Sequence, residues 1–272
     1  MAERTMTETT ASLEAFLAAA PAAALVEVTE AKGSTPREAG AWMLVSPTAI
    51  FGTIGGGRLE FLAIERARAL IASNLASGAL DIPLGPEIGQ CCGGRVGLAI
   101  VLADAPTRRA LAARLLAEEA GRPQVCLFGA GHVGHALAAA LALLPVRTSV
   151  IETRAEALEG LPATVEARLS AVPEDAVRAA PAGAAFVVLT HDHALDFLIV
   201  GEALARGDAA YVGMIGSKTK RATFARWWRE QGGDPDRLAR LVTPIGGLAA
   251  RDKRPAVIAA MTAAEVMAAL AR

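Results

Sequence analysis

The feature that most constrains this chain is an apolar segment, Gln124–Phe128 (QVCLF), that runs directly into Gly129-Ala130-Gly131-His132-Val133-Gly134. A helical pattern follows, from Gly131 to Leu144. A G-x-G-x-x-G turn between strand and helix suits phosphate, because the glycines let phosphate oxygens approach the free N–H groups of the helix N-terminus. The next apolar run, Thr148–Glu152, ends in an acid 23 residues after Gly129. A carboxylate there is placed to accept a ribose hydroxyl. His132, inside the loop, is a candidate to face the ligand. Ala185–Thr190 and Ala210–Ile215 are further apolar runs, each followed by a helical pattern. Such alternation predicts an α/β fold: a Rossmann-like parallel sheet with helices on both faces. That the loop makes a tight turn and binds nothing stays open, since folds outlive ligands.

Thr107–Ala120 reads as a helix, and Gly121-Arg122-Pro123 stops it. A boundary there predicts an N-terminal domain over 1–121 and the Rossmann-like domain over 122–272. The first part is expected to be a smaller α+β domain. Leu25–Val28, Trp42–Val45, Ile50–Ile54 and Arg95–Leu102 are its strand candidates, Glu30–Gly40 is a polar loop, and a helix runs from Arg58 to about Ser73. With 62 alanines and 4% aromatics, both cores must be packed tightly from Ala, Leu and Val.

Charge narrows the function classes. Lys+Arg is 27 and Asp+Glu is 28, so no concentrated basic field marks a nucleic-acid binder. No apolar run approaches the ~18 residues of a membrane span. Met1–Thr10, with Glu3, Arg4 and Glu8, lacks the positive leader of a signal peptide. Three cysteines suit a reducing compartment, and a cytoplasmic protein is expected.

Four further segments carry chemistry. In Gly52–Glu60 (GTIGGGRLE), Gly55, Gly56 and Gly57 precede a helix and form a second candidate anion nest, with Arg58 as a fork for phosphate or carboxylate. The competing reading is a flexible connection. In Pro83–Gly94 (PLGPEIGQCCGG), Cys91 and Cys92 stand on a glycine-framed loop, from which a thiol can reach a metal, a sulfur donor or a cofactor. Arg95 could favour the thiolate, and a small-residue turn is the competing reading. Structural zinc is excluded by ligand count, because all four histidines lie in the other half. Cys126, mid-strand, reads as core. In Thr190–Asp196 (THDHALD), His191 and His193 alternate onto one side of a strand end. They can hold a metal only with a third ligand that is not evident, so ligand-facing or capping polar roles are preferred. In Gly213–Arg221 (GMIGSKTKR), Ser217 caps a helix carrying Lys218, Lys220 and Arg221. This is a positive patch suited to a phosphate-bearing ligand, or else a solvated helix face. Of Trp227 and Trp228, one is expected in the core and one at an interface.

Taken together, these motifs resemble the XdhC/CoxI family of xanthine dehydrogenase accessory proteins. The segments that carry the likeness are Gly33–Met43 (GSTPREAGAWM), GTIGGGRLE, PLGPEIGQCCGG, Leu127–Gly134 (LFGAGHVG), Val187–Asp196 (VVLTHDHALD) and Tyr211–Arg221 (YVGMIGSKTKR), with Pro244-Ile245-Gly246 and the C-terminal helix. The family pattern departs after Gly246, where an acidic run is usual and this chain has Gly247–Arg254 (GLAARDKR). The resemblance implies an accessory protein, not an enzyme. It would bind the molybdenum cofactor, a phosphate-bearing pterin dithiolene carrying molybdenum, protect it while its terminal sulfur is installed, and hand it to a molybdenum hydroxylase such as xanthine dehydrogenase. Implied partners are that enzyme's molybdenum-binding subunit and a cysteine desulfurase, and a homodimer is common. The family's glycine and paired-cysteine motifs fall on Gly55–Gly57 and Cys91–Cys92, the latter as ligands toward the metal. A second function stays open: a nicotinamide-dependent oxidoreductase using Glu152 for ribose and His191 or His193 as proton donor. A metal- or nucleotide-sensing regulator is the third.

Overall fold

A computed structural model describes residues 9–73, 75–85, 93–247 and 252–271. The chain divides into two compact units, Met1–Ala120 and Gly121–Arg272.

The first unit begins with α1 (Thr10–Ala19), closed at its N-terminus by a capping box between Thr9 and Ser12. Its antiparallel sheet has the order β3-β2-β1-β5-β4, formed by β1 (Ala24–Lys32), β2 (Trp42–Val45), β3 (Ile50–Gly52), β4 (Ser77–Pro83) and β5 (Arg95–Leu102). Strand alternation sorts the side chains onto two faces. Val26, Val28, Met43 and Val45 pack with Leu59, Ala63 and Leu70 of α2 (Gly57–Ser73). Trp42, Leu44 and Phe51 pack with Leu13 and Phe16 of α1 and with Leu111 and Leu115 of α3 (Ala105–Gly121). Two expectations change here. The segment Glu30–Lys32, read as loop, continues β1 past a register shift at Val28/Glu30, because β5 supplies its partners. The strand expected to reach Ile54 ends at Gly52.

The second unit carries β6 (Gln124–Phe128), β7 (Arg147–Glu152), β8 (Glu166–Leu169), β9 (Ala185–Val188), β10 (Tyr211–Met214) and β11 (Leu241–Val242). All pairings are parallel, in the order β8-β7-β6-β9-β10-β11. Counted from β6, this is the doubly wound order 3-2-1-4-5-6, and the direction of winding reverses between β6 and β9. On one face α4 (His132–Leu141) and α9 (Pro255–Leu270) cover Val125, Leu127 and Val187 with small and branched side chains such as Leu137, Ala138, Ala259 and Ala263. On the other, α5 (Glu174–Ala179), α6 (His193–Arg206) and α7 (Lys218–Glu230) cover Phe128, Phe186 and Met214 with Val177, Ile199, Val200, Phe224 and Trp228. The α/β architecture read from the sequence is present. Trp228 is core and donates its indole N–H to the Asp234 carbonyl at 2.9 Å, while Trp227 is only partly buried. The short α8 (Pro235–Leu238) follows.

Candidate functional site

In the first unit, three glycine-bearing loops converge at one end of the sheet. Gly55 faces the loop after β1: a Cβ placed there would lie 2.6 Å from Pro36 Cβ. Gly94 faces Ser34, whose carbonyl oxygen would lie 2.3 Å from an added Cβ, and Ser34 bridges Gly93. Backbone bonds between Leu84 and both Gly93 (2.9 Å) and Gly94 (2.8 Å) fix the point where the chain returns into β5. Cys91 and Cys92 lie outside the described residues; the residue after them is this Gly93.

The glycine nest differs from its expected role. Gly55, Gly56 and Gly57 do turn through three consecutive positive φ angles (120°, 76° and 65°). The anion in the hollow is the chain's own. Glu60, buried in the first turn of α2, accepts through Oε2 from the Thr53 hydroxyl (2.5 Å), the Ile54 N–H (3.2 Å) and the Gly56 N–H (3.1 Å). A local carboxylate so placed satisfies loop amides and the positive end of the helix together. Arg58 is exposed, with its guanidinium 5.0 Å from the centre of the exposed Phe61 ring. Arg37, exposed, touches the same loop: its Cγ is 3.3 Å from a Cβ built on Gly55. Arg95 is held by Asp81 in a two-pronged ion pair, Nε to Oδ1 at 2.7 Å, and the thiols it was expected to favour lie outside the described residues.

In the second unit, the glycine loop lies where the sheet reverses its winding. Gly129 is wedged against β9's exit, with the Leu189 carbonyl 2.5 Å from an added Cβ. Gly134 lets α4 descend onto Gly129, whose carbonyl oxygen would lie 2.2 Å from a Cβ. Gly131 is the N-cap of α4 and makes no side-chain cap, and His132 is exposed at its first position. The α6 and α7 helices differ, being capped by Asp192 and Ser217.

Glu152, expected to face a ribose, is met by donors of its own chain. Its buried carboxylate takes the Ala130 N–H (2.9 Å), the Thr153 N–H (2.8 Å) and hydroxyl (3.1 Å), the Arg154 N–H (3.2 Å), and two guanidinium prongs of Arg154, Nε at 3.3 Å and Nη2 at 3.1 Å. Burial pushes this acid up, but Arg154 and the N–H groups of Ala130 and Thr153 outweigh it and hold the pKa at about 2. Glu152 thus ties the glycine loop to the end of β7. A narrow crevice of about 10 Å³, room for roughly one water, adjoins it, lined among others by Ile151, Thr153, Pro173, His191 and Leu195.

The histidine segment also departs from expectation. β9 ends at Val188, so His191 and His193 do not alternate along a strand: His191 is in the connecting loop and His193 opens α6, both exposed. Among the described residues, no three His, Cys, Asp or Glu side chains form a metal-holding group. What sequence reasoning missed is beneath them. Asp196, fully buried, accepts from the Thr190 hydroxyl (2.7 Å) and N–H (3.1 Å) and pairs with Lys220, which also donates to the Ile215 carbonyl (3.0 Å). Of the expected positive patch, Lys220 is therefore consumed in the interior, Arg221 donates to the Leu241 carbonyl, and Lys218 remains exposed. Cys126 is buried in β6, its thiol pushed up to about 11 by burial.

A doubly wound sheet with a glycine loop at its reversal point makes the second unit a Rossmann domain, here joined to a smaller α+β unit built around converging glycine loops. Residues 125–266 match the XdhC Rossmann domain and residues 16–80 match the XdhC and CoxI family, and the chain belongs to that family. The uncharacterised protein YqeB of Escherichia coli K12 is 27% identical over 240 residues, covering 82% of this chain; the chain spans 39% of YqeB's length. A crystal structure described as a xanthine dehydrogenase from Bacillus halodurans has the same fold, with a TM-score of 0.80 at 17% identity over 97% of this chain and 96% of that one. Among the described residues, no helix is long and apolar enough to cross a membrane.

Proposed function

We propose that this protein is an accessory factor that binds the molybdenum cofactor, shelters it during sulfuration and delivers it to a molybdenum hydroxylase such as xanthine dehydrogenase. The observation that carries the reading is the meeting of three loops, Gly33–Arg37, Thr53–Arg58 and Gly93–Arg95, at one end of the first unit's sheet. Membership of the XdhC and CoxI family supports it. The cargo is anionic and flat, and the cluster offers what such a ligand needs: exposed guanidinium groups on Arg37 and Arg58, and an exposed ring on Phe61. Soft ligands for the cargo's metal would come from Cys91 and Cys92, which directly precede Gly93 in sequence. With Glu60 filling the amide hollow, the cargo's phosphate is received by the cations at its rim. Partners on this reading are a cysteine desulfurase and the molybdenum-binding subunit of the target enzyme, with a homodimer as the working assembly and the cytoplasm as the location. His191, His193 and Lys218 are available at the carboxyl edge of the second unit. The protein acts as a carrier, not a catalyst.

The test is purification from cells that make molybdenum cofactor, followed by oxidation and fluorescence assay of released pterin. Pterin near one per chain is expected, with a marked loss in the Cys91→Ala/Cys92→Ala protein. Undiminished pterin in that double variant removes the thiols from the proposal; absence of pterin in the unaltered protein overturns it.

A further inference from the structure

One edge of the second unit's sheet is a strand that neither helical layer covers. Parallel strands are ordinarily buried on both faces. Every residue of β8, Glu166, Ala167, Arg168 and Leu169, is exposed, and the strand pairs only with β7. Its backbone shows which groups are open. Ser170 donates its N–H to the Glu152 carbonyl of β7 at 2.9 Å, and the register sets Arg168 against Ile151. Backbone groups alternate along a strand, so Glu166 and Arg168 also turn theirs toward β7, while Ala167 and Leu169 turn theirs to solvent. Side chains alternate too: Glu166 and Arg168 share one face, Ala167 and Leu169 the other. The two charges are only loosely held to each other. Glu166 Oε2 accepts from the Ser149 hydroxyl at 2.6 Å, but Oε1 lies 3.9 Å from Arg168 Nε, beyond hydrogen-bond reach. Leu169 and, just past the strand, Val172 are exposed apolar side chains.

We infer that a second copy of the chain docks on this edge, β8 against β8 in antiparallel pairing about a twofold axis, so that the two sheets continue as one. An axis at Ala167 sets the outward N–H and C=O of each Ala167 against those of the other, the hydrogen-bonded type of pair. One residue to either side, Glu166 of each copy then faces Arg168 of the other in the closer, non-hydrogen-bonded type of pair, and the axis makes that contact twice. The order Glu-Ala-Arg is complementary to itself when reversed. Charges on an open edge turn away strands at large. Here they admit a strand whose charges run the opposite way, and the chain's own reversed β8 is one. The inference rests on the homodimer of the preceding reading and names its surface; it does not rest on the pterin.

Sedimentation velocity of the full chain over roughly 2–200 µM reads the assembly. A short edge buries little surface, so a dimer that dissociates on dilution is expected. Arg168→Glu sets glutamates across the axis and Glu166→Arg sets arginines there; each should weaken the dimer at least about tenfold. Mixing these two variants should restore association, because every charge then faces its opposite. Ala167→Pro removes the outward N–H, leaves the bonds to β7 in place, and should also weaken the dimer. Circular dichroism verifies that each variant keeps its fold. A dimer undiminished in Arg168→Glu and Ala167→Pro overturns this interface and leaves the homodimer standing. A monomer at every concentration overturns both, and failure of the mixed variants to associate overturns the pairing. The pterin content of the purified protein is read separately, so none of these outcomes is confused with failure of the carrier role.

Discussion

Glu60 Oε2 lies 3.1 Å from the Gly56 nitrogen, so a residue in the first turn of α2 closes the glycine loop in front of it. The loop is held by one carboxylate contacting Thr53, Ile54 and Gly56.

Removing that carboxylate leaves buried donors without partners. Glu60→Ala should destabilise the first unit by roughly 2–4 kcal/mol, the cost of several orphaned polar groups. Hydrogen exchange followed by mass spectrometry should show faster exchange in peptides spanning Gly52–Glu60. Unchanged exchange there would mean that the loop does not depend on Glu60.

Asp196 and Lys220 form a buried ion pair, with side-chain exposures of 0% and 10%. Breaking one partner strands the other, at about 3–5 kcal/mol. Asp196→Asn and Lys220→Met should each cost heavily, and the double variant should cost well under their sum. Urea denaturation of the four proteins reads the coupling; additive losses would contradict a working pair.

Glu152 sets a pH window. Its carboxyl titrates near 4.5 when unperturbed and at about 2 in the fold, so the folded state favours the charged form. The stabilisation, about 3 kcal/mol from the size of that shift, is complete above pH 4.5 and drains away as pH falls toward 2. The stability gap between the unaltered protein and Glu152→Gln should therefore shrink across that interval. A gap that widens on acidification has the wrong sign for this account.

Much of the fold was legible, for a physical reason. β6, β7, β9 and β10 are interior strands of a sheet covered on both faces, so they appear as continuous apolar runs. β4 and β8 escaped because they are edge strands. SGALDIP and EARL are mostly exposed, and their strand character comes from the neighbour that pairs with them. The two-residue β11 is too short to show any periodicity. Both glycine loops could be read from spacing. Their occupants could not, since spacing alone does not show that Glu60 and Glu152 turn inward. Asp196 did leave a signal: with Ile199, Val200 and Ala203 it falls on one helical stripe, and a carboxylate on an apolar stripe calls for a buried partner.

The chain's one tyrosine offers a separate readout. Tyr211 donates to Glu265 Oε2 at 2.8 Å, and burial, with that carboxylate's help, pushes its phenol well above the ordinary 10. The folded state thus favours the neutral phenol, and stability falls as pH rises past 10, where the unfolded chain ionises. Phenolate absorbance near 295 nm should stay absent through pH 10 and appear only together with unfolding. Phenolate in a protein that is still folded near pH 10 would show that the contact is weaker than described.

Both glycine turns are charge-balanced from within, by Glu60 in one unit and Glu152 in the other. A turn whose amides are met by the chain's own carboxylate keeps its contour unaided. Neither turn needs an added ion to set its shape, so the form of each loop is written into the chain itself.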